Sequence, residues 1–478
     1  MSRLQATIAA LAIGIALSAT GPAAAENVLR FMGADATAST MDPHANASKD
    51  NKAATKQVYE ALLDVDSNLA IVPQLALTWK PLNTTTWEFE LRPDVTFHDG
   101  TPFTAADVVF SIQRARAETS DFRAYVDNIS AVEAIDDHTV RFTTAAPDPA
   151  LWLKLAEIAI MSKSWAEQHG VTVPADFNRA REETYASRHA NGTGPFMLEE
   201  FEPHGRWVMV RNPDWWGKVE NPQSIDRIVH IWKDDPENVA GLLEGEIDLL
   251  QTPPYWALDQ IRRTPGLKIV YTTKLLTNFL GIDQGSAELR SSNIKGRNPF
   301  KDKRVRQAMA HAIDFQPILH DLMGELFIPA GMLVAPGVNG YAPELDQPTP
   351  FNPEQARALL VAAGYPDGFS VTLDCPSDAG DDEIAECKGA AEQLGKVGIE
   401  VAIQFLSDDE YDEKVYNAGG SDFYLDGYHM DPDSEGVLRD LFHSQSDWNF
   451  TGYANPRVDE LLEKIKIDMV TYARDAYR

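Results

Sequence analysis

Residues 84–115 read TTTWEFELRPDVTFHDGTPFTAADVVFSIQRA, and this stretch joins a β-strand, a turn and a capped α-helix. Apolar and charged residues alternate over 87–91, which is the period of a strand with one buried face. The HDG sequence at 98–100 predicts a turn. Thr104 then occupies the N-cap position and Asp107 the third helical position, which is close to a capping box. The stretch therefore predicts a strand followed by a helix, the repeating unit of an α/β protein.

The same alternation of strands and helices continues along the chain. The segment 225–250 predicts strand, helix, turn and strand, and the segment 352–375 predicts helix, turn and strand. Earlier, STMDPHANASKDNKAATKQVYEALL (39–63) predicts a polar loop that leads into a helix continuing to Leu63. A second α/β block begins near Tyr271. With 478 residues, 44% of them apolar, the chain can form more than one domain, and we expect an α/β fold with mixed sheets.

The net charge and the N-terminus indicate an exported protein. A net charge of −30 disfavours nucleic acid and anionic membranes as partners, because both are polyanions, and it suits a soluble monomer. Residues 1–25 have a basic start, an apolar core over 6–19 and an A-x-A site at 23–25, which is typical of a secretory signal peptide cleaved before Glu26. A first core helix is the alternative. No later segment reaches the ~18 apolar residues of a membrane span, so we expect a periplasmic protein without membrane insertion.

The chain has two cysteines, Cys375 and Cys387. In an exported protein two nearby cysteines usually form a disulfide. Two free buried thiols are the alternative, and a metal site built on two lone thiols is less favoured.

The acidic run FYLDGYHMDPDSEGVLRDLF at 423–442 raises three hypotheses: a metal site, a catalytic acid cluster or a loop that reads a ligand. Its acids lack the spacing of a calcium loop, and His429 and His443 lie too far apart for one helical turn. The chain has no H-E-x-x-H, G-x-S-x-G, Walker or C-x-x-C motif, and the S-x-x-K at 292–295 lacks its partner motifs. We therefore predict no metal, no cofactor and no catalytic residue. A solvated acidic loop is the plain alternative.

Several stretches carry a resemblance to a known protein family. They are VYEALLDVDSNLAIVPQLALTWKP (58–81), WEFELRPDVTFHDGTPFTAADVVFSIQR (87–114), NGTGPFMLEEF (191–201), NPDWWG (212–217), GLLEGEIDLL (241–250), NPFKDKRVRQAMAHAID (298–314), FNPEQARALLVAAGYPDGF (351–369) and NFTGYANPRVDELL (449–462). In this order, from about Asn27 to Glu463, the chain resembles family 5 of the periplasmic solute-binding proteins of ABC importers. This family takes dipeptides and oligopeptides, and also nickel chelates, opines and sugars.

The resemblance implies a two-lobed periplasmic-binding-protein fold of the type II-like class, with the ligand enclosed between the lobes. The implied division is a signal peptide at 1–25, lobe one at 26–273 with an inserted subdomain at about 60–190, lobe two at 274–449, and a return to lobe one at 450–478. The chain is expected to cross between the lobes near Thr273 and near Phe450. Family members usually continue past such a final helix to another strand, so we expect the sequence to be incomplete at its C-terminus.

The resemblance also separates structural motifs from ligand contacts. It implies that the turn at 98–100, the strand entry at 191–196 and the tryptophan pair at 215–216 are structural. The family often carries a disulfide in the acidic segment that LDCPSDAGDDEIAEC resembles, which matches Cys375 and Cys387.

In peptide-binding members, the equivalent of 423–442 is a ligand loop that reads Trp-x-x-Asp, with an acidic residue and Pro following. The Asp pairs with the α-ammonium group of the peptide. Alignment on Asp431 and Pro432 places Leu425 at the Trp position and Tyr428 at the Asp position. Both depart from the peptide-binding pattern, which counts against a free peptide as ligand. Asp426 is placed to supply a carboxylate instead.

The resemblance implies further contacts from the loop after the first strand of lobe one and from the segment after the first crossing. The residues predicted to bind the ligand are Thr37, Ala38, Ser39, Thr40, Asn278, Leu425, Asp426, Tyr428 and His429.

The sequence therefore favours a non-enzymatic binding protein that delivers a small polar organic solute to the permease subunits of an ABC importer. The expected ligand is a modified peptide, an opine or an amino-acid–sugar conjugate, with ordinary dipeptides or oligopeptides as the alternative. A secreted hydrolase and a metal-chelate carrier are less favoured hypotheses.

Overall fold

The computed structural model describes residues 26–32, 38–148, 150–231, 235–271, 275–377, 380–417, 419–430 and 433–465. The predicted signal peptide at 1–25, the predicted crossing point at Thr273 and the C-terminal residues 466–478 lie outside these ranges.

The strands follow the alternating and apolar runs of the sequence. They are β1 (Val28–Met32), β2 (Leu63–Val65), β3 (Ile71–Pro73), β4 (Ala76–Asn83), β5 (Thr86–Leu91), β6 (Ile129–Asp136), β7 (Thr139–Thr144), β8 (Phe196–Phe201), β9 (Trp207–Arg211), β10 (Arg227–His230), β11 (Leu249–Leu250), β12 (Leu276–Ile282), β13 (Phe369–Pro376), β14 (Ile399–Leu406) and β15 (Phe423–His429).

The helices lie between these strands and after the last of them. They are α1 (Lys49–Val58), α2 (Ala105–Ala115), α3 (Arg123–Val126), α4 (Leu151–Leu155), α5 (Lys163–Gln168), α6 (Phe177–Ala180), α7 (Tyr185–Arg188), α8 (Asp235–Glu244), α9 (Leu258–Arg263), α10 (Lys303–Ala312), α11 (Phe315–Met323), α12 (Pro353–Ala362), α13 (Asp381–Gly395), α14 (Asp408–Tyr411), α15 (Ser434–Phe442) and α16 (Pro456–Ile465). Short 3₁₀ turns occur at Trp216–Lys218, Tyr255–Ala257, Pro299–Lys301 and Gly324–Leu326, and a π-helical turn at Asp412–Asn417.

Two mixed sheets organise the chain. The first sheet has the order β11-β1-β10-β9-β8, with β1 parallel to β10 and β11. The second sheet has the order β12-β15-β13-β14, with β13 parallel to β14 and β15, and with β12 antiparallel to β15 at its edge. The first sheet uses strands between residues 28 and 250 and the second between 276 and 429. The predicted lobe boundaries remain predictions, although the strands of the two sheets fall on either side of residue 273.

A third, antiparallel sheet of order β4-β5-β7-β6 lies within the segment predicted as an inserted subdomain. Its inward side chains, including Trp87, Phe89 and Phe142, pack with α2 into a core of their own. The start of α2 is held as the sequence predicts, because the Asp107 carboxylate accepts hydrogen bonds from the backbone N–H (2.9 Å) and the hydroxyl (3.0 Å) of Thr104. Asp107 also accepts from the backbone N–H of Lys163 (2.9 Å), which ties α2 to α5.

The second sheet has a separate core on one face. Phe423 and Leu425 of β15 pack there with α10, α12 and both cysteines. The predicted disulfide is confirmed: Cys375 at the end of β13 is bonded to Cys387 of α13, with their Cα atoms 6.6 Å apart. The bond fixes the first turns of α13 against the carboxyl end of β13. No helix within the described residues is long and apolar enough to cross a membrane.

The prediction for 39–63 is wrong about the end of the helix. The helix α1 ends at Val58, where Tyr59 takes an extended conformation (φ −108°, ψ 140°), and Leu63 begins β2. The preceding segment is a loop, as predicted, but Thr40, Asp42 and His44 are almost completely buried. Its polar side chains form internal hydrogen bonds, and a polar composition alone does not distinguish that arrangement from a surface loop.

Candidate functional site

The segments that follow β11 of the first sheet and β13 of the second sheet are in contact, and the region beside this contact is called the cleft. Tyr255 follows β11 of the first sheet, and Asp382 lies in the first turn of α13, which follows β13 of the second sheet. The Tyr255 hydroxyl donates a hydrogen bond to Oδ2 of Asp382 (3.3 Å). Burial and the acidic side chains of α13 raise the pKa of Tyr255 to about 12. In open α/β sheets ligands bind beyond the carboxyl ends of the strands, so this cleft is the candidate site.

Asn278 and Glu386 contact each other on the face of the second sheet that carries Leu425 and the disulfide. Asn278 of β12 donates from Nδ2 to Oε2 of Glu386 on α13 (3.2 Å), and its own Oδ1 is buried without a partner. Its neighbour across the strands is Gly427, where a Cβ would lie 2.8 Å from that Oδ1. Burial raises the pKa of Glu386 to about 7, with Asp382 and Glu383 adding to the rise and the Asn278 amide opposing it.

Asp426 lies on the opposite face of β15 from Asn278. Its Oδ1 accepts hydrogen bonds from the Tyr416 hydroxyl (2.9 Å) and the Gly427 N–H (2.8 Å). Tyr416 also packs against the rings of Tyr411 and Phe450. Burial raises the pKa of Asp426, opposed by these hydrogen bonds. The second carboxylate oxygen has no hydrogen-bond partner among the described residues, so it remains able to accept one.

Tyr428 also points to this second face, away from Asn278. Its hydroxyl donates to Oδ2 of Asp440 on α15 (2.5 Å). The ring packs beside a small apolar cluster that includes Val334, Met430 and, from the segment between β2 and β3, Leu69. The position thus carries a neutral phenol held by a carboxylate, where the family resemblance implies an Asp in peptide-binding members.

The remaining predicted contacts of lobe two are divided between core and surface. Leu425 is only 3% exposed and packs in the core of the second sheet. His429 is exposed at the end of β15, and Asp431 and Pro432 lie outside the described residues. The structure therefore places Asp426, Tyr428 and His429 in the last residues of β15, beside Asn278 near the start of β12, but it turns Leu425 into the core. Leu425 points to the face opposite Asp426 and Tyr428, because side chains alternate along a strand.

The predicted contacts of lobe one face the interior. Ala38, Ser39 and Thr40 are buried, and Thr37 lies outside the described residues. The Oδ1 of Asn51 accepts from the backbone N–H (2.7 Å) and hydroxyl (3.0 Å) of Ser39, and its Nδ2 donates to the carbonyl of Thr40 (2.9 Å). These hydrogen bonds hold the segment before α1 in place, and the assignment of Ala38, Ser39 and Thr40 to the ligand remains a prediction.

No group of three or more His, Cys, Asp or Glu side chains in the described parts of the chain could hold a metal ion.

Comparison with known proteins decides the family. A sequence profile described as bacterial extracellular solute-binding proteins, family 5 Middle, matches residues 70–449. The chain belongs to this family. The glutathione-binding protein GsiB of Salmonella typhi is 26% identical over 469 residues, covering 95% of this chain and 85% of that protein.

Solved structures of family 5 and its relatives establish the two-lobed fold. The ABC transporter substrate-binding protein CtaP from Listeria monocytogenes has a TM-score of 0.78 at 18% identity, covering 95% of this chain and 89% of that one. DppA from Helicobacter pylori, in complex with the peptide STSA, has a TM-score of 0.67 at 24% identity, covering 94% and 88%. The family consists of solute-binding proteins, so this chain is a transport component and not an enzyme.

Two buried hydrogen-bond networks of this family 5 chain were not predicted from the sequence. In the first, Arg114 donates to both carboxylate oxygens of Asp42 (2.7 and 2.6 Å) and lies 3.2 Å from Nδ1 of His44. Burial alone would raise the pKa of Asp42, but the Arg114 charge and hydrogen bonds hold it below its ordinary value. Burial and the same guanidinium lower the pKa of His44 to about 3, so this imidazole is neutral. The sequence shows two members of this network as Asp-Pro-His at 42–44, but Arg114, the partner of His44, lies 70 residues further on.

The second network holds the tryptophan pair that the resemblance marks as structural. The carboxylate of Glu60 accepts from the indole N–H groups of Trp215 (3.0 Å) and Trp216 (2.8 Å). Arg92 lies over the Trp216 ring at 3.8 Å from its centroid. Burial raises the pKa of Glu60 to about 7, and the two indole hydrogen bonds oppose the rise. Nothing in YEALL, taken locally, indicates that Glu60 is internal.

We predict that Glu60 makes the stability depend on pH. Its pKa is raised from an ordinary value of 4.5 to about 7, so the folded chain binds this proton more tightly than the unfolded chain. The contribution to the free energy of unfolding therefore falls as pH rises through this window, by a change on the order of 3 kcal/mol. Thermal unfolding of wild type and Glu60→Gln across this range measures the effect. The wild type should lose stability relative to the variant as pH rises, and a difference that is constant with pH would contradict the prediction.

Proposed function

We propose that the protein captures a small polar organic solute in the cleft between its lobes and delivers it to the permease of an ABC importer. The observation that supports the proposal is the Tyr255–Asp382 hydrogen bond, which joins the segment after β11 of the first sheet to the helix that follows β13 of the second sheet. Family 5 membership supports the transport role. A ligand that bonds to both edges at once favours closure, because only the closed arrangement makes both sets of contacts.

The proposed ligand is a modified peptide, an opine or an amino-acid–sugar conjugate. At neutral pH a phenol carries no charge, so Tyr428 cannot pair with an α-ammonium group as an Asp would. The Tyr428 hydroxyl is moreover bonded to Asp440. An ammonium group buried at this position without a counter-charge would be costly, which disfavours ligands whose cation must lie there.

The name of a relative suggests the first compound to test. GsiB is a glutathione-binding protein, and glutathione is a γ-linked tripeptide. In such a modified peptide the ammonium group is displaced from the main chain compared with an ordinary peptide. Glutathione therefore fits the proposed class, and octopine represents the opines.

An ordinary dipeptide or oligopeptide is the second candidate. Asp426 supports it, because one of its carboxylate oxygens is without a hydrogen-bond partner in the described chain and lies two residues before Tyr428. An ammonium group paired with Asp426 would replace the pairing that the family resemblance implies at position 428.

Calorimetry separates the two candidates. We predict that wild type binds a member of the modified class at least about 10-fold more tightly than di- to pentapeptides of ordinary linkage, a difference of about 1.4 kcal/mol. Tyr428→Ala should weaken the preferred ligand, because it removes the ring and its hydrogen bond, and Asp426→Ala should affect that ligand less. Tight wild-type binding of ordinary peptides that is lost in Asp426→Ala and unchanged in Tyr428→Ala would establish the second candidate instead. A wild type that binds none of these solutes would contradict the proposed function.

A further inference from the structure

Glu386 differs from every other buried carboxylate in the described parts of the chain. It is only 6% exposed, yet it accepts a single hydrogen bond, from the Asn278 amide. The other buried carboxylates each accept at least two hydrogen bonds. They are Asp42, Glu60, Asp107, Asp148, Asp283, Asp374, Asp422 and Asp433. A buried carboxylate is normally paired or fully hydrogen-bonded, so the surroundings of Glu386 are incomplete.

The groups around Glu386 do not supply a positive charge. Asp382 and Glu383 precede it on α13 and both raise its pKa, and Tyr255 faces the same acidic turn from the first sheet. From β12, Asn278 contributes one donor, and its own Oδ1 has none. Within the described residues, no Lys, Arg or His nitrogen lies in ion-pair distance of Glu386. One oxygen of Glu386 and Oδ1 of Asn278 thus lack a hydrogen-bond donor among the described residues.

Glu386, which lacks a second hydrogen-bond donor among the described residues, lies near the candidate ligand cleft. It lies one helical turn after Asp382, which receives the hydrogen bond from Tyr255 across the cleft. Asn278, which orients the carboxylate, pairs with Gly427, the residue before Tyr428. The site therefore borders the ligand loop but lies on the other face of the sheet from the Tyr428 ring.

We propose that Glu386, oriented by Asn278, is the subsite that holds a cationic group of the ligand, a primary ammonium or a guanidinium. The inference rests on the proposed function and narrows its ligand class. A cation of this kind supplies several N–H donors and a full positive charge, which is what the uncompensated carboxylate lacks. Asn278 acts as a positioning residue, since its amide holds one carboxylate oxygen and leaves the other for the ligand.

The test compares glutathione with an analogue that lacks its ammonium group. Calorimetry is performed with glutathione, N-acetylglutathione and octopine on wild type, Glu386→Gln, Asn278→Ala and a control, Glu392→Gln. Glu392 lies on the same helix, but it is exposed and pairs with Lys396. Glu386→Gln should weaken glutathione and octopine, which carry cationic groups, by about 10- to 100-fold, the loss expected for a charged hydrogen bond, and should leave N-acetylglutathione, which lacks the ammonium group, unchanged. Asn278→Ala should weaken the cationic probe by a smaller factor, and Glu392→Gln should have no effect.

A pH series adds a readout that a merely structural role would not change. Because the pKa of Glu386 is about 7 in the ligand-free protein, wild-type affinity for the cationic probe should rise between pH 6 and pH 8 as the carboxyl ionises. The rise should be absent in Glu386→Gln. That variant should also unfold at a temperature no lower than wild type at pH 8, because it removes an unpaired buried charge.

The calorimetric outcomes separate a failure of the inference about Glu386 from a failure of the proposed function. Equal affinity of wild type and Glu386→Gln for glutathione or octopine would overturn the inference and leave the binding function standing. The same holds if the only solute that binds is N-acetylglutathione, which lacks a cationic group. If no solute of the proposed classes binds to wild type, both the inference about Glu386 and the proposed function are contradicted.

Discussion

Replacing Arg114 by methionine is expected to lower the free energy of unfolding by about 3–5 kcal/mol, the cost of leaving a buried charge without its partner. The side chains of Arg114 and Asp42 are completely buried, and the guanidinium also donates to the carbonyls of Val171 (3.1 Å) and Val173 (3.3 Å). His44 is a poor replacement as counter-charge, because burial is the largest cause of its low pKa and remains in the variant. Urea unfolding followed by tryptophan fluorescence measures the loss.

A surface pair provides the matched control. Arg188 donates to both carboxylate oxygens of Glu183 (3.0 and 2.9 Å), but both side chains are about half exposed. Arg188→Met should therefore cost less than about 1 kcal/mol, because exposed ion pairs contribute little. Equal losses of unfolding free energy in the two variants would contradict the prediction that burial makes the Asp42–Arg114 pair the more important one for stability.

Removing the disulfide is expected to lower the free energy of unfolding by roughly 3 kcal/mol, the chain-entropy value for a loop of this length. Cys375 and Cys387 are separated by 12 residues, and both are buried in the core of the second sheet. The bond also holds the acidic first turns of α13, which include Asp382 and Glu386, at the end of β13. Cys375→Ala/Cys387→Ala and reduced wild type should show similar losses in urea unfolding.

The double variant is also the control for the reductant. Its unfolding curve should not change when reductant is added, whereas that of the wild type should shift to lower urea. Two free thiols per chain in the denatured, unreduced wild type would contradict the disulfide itself.

The parts of the fold that sequence patterns predicted are those built from neighbouring residues. The alternation at 87–91 and the Thr104–Asp107 cap each depend on residues a few positions apart, and both are present. The disulfide was predictable because the chain has two cysteines, which leaves one possible intramolecular pairing. Family membership was predictable because the shared motifs recur in order along most of the chain.

The parts that were missed depend on partners distant in sequence. Asp42 and Arg114 are 72 residues apart, Glu60 and Trp215 are 155 apart, and Asn278 and Glu386 are 108 apart. Residue type alone does not tell whether such a polar side chain is solvated or buried with a partner. A single sequence therefore identified candidate acids in the ligand loop but gave no reason to select Glu386, which lies on a helix.

The candidate site was predicted only in part, because the sequence does not show which face of a strand each residue occupies. Aligning the ligand loop identified Asp426, Tyr428 and His429 at the end of β15, but it also included Leu425, which the strand turns into the core. In a strand, successive side chains point to opposite faces, so a loop pattern that spans a strand end mixes both. The face of each residue became evident only from the pairing of β15 with β12.

Small-angle X-ray scattering, without solute and with a saturating solute identified by calorimetry, tests the central claim that the ligand is enclosed between two lobes. The two carboxyl edges meet at Tyr255 and Asp382, and a ligand that bonds to both should hold them together. We predict a smaller radius of gyration with the solute bound. An identical radius in both states, with stoichiometric binding confirmed on the same sample, would contradict enclosure by lobe closure.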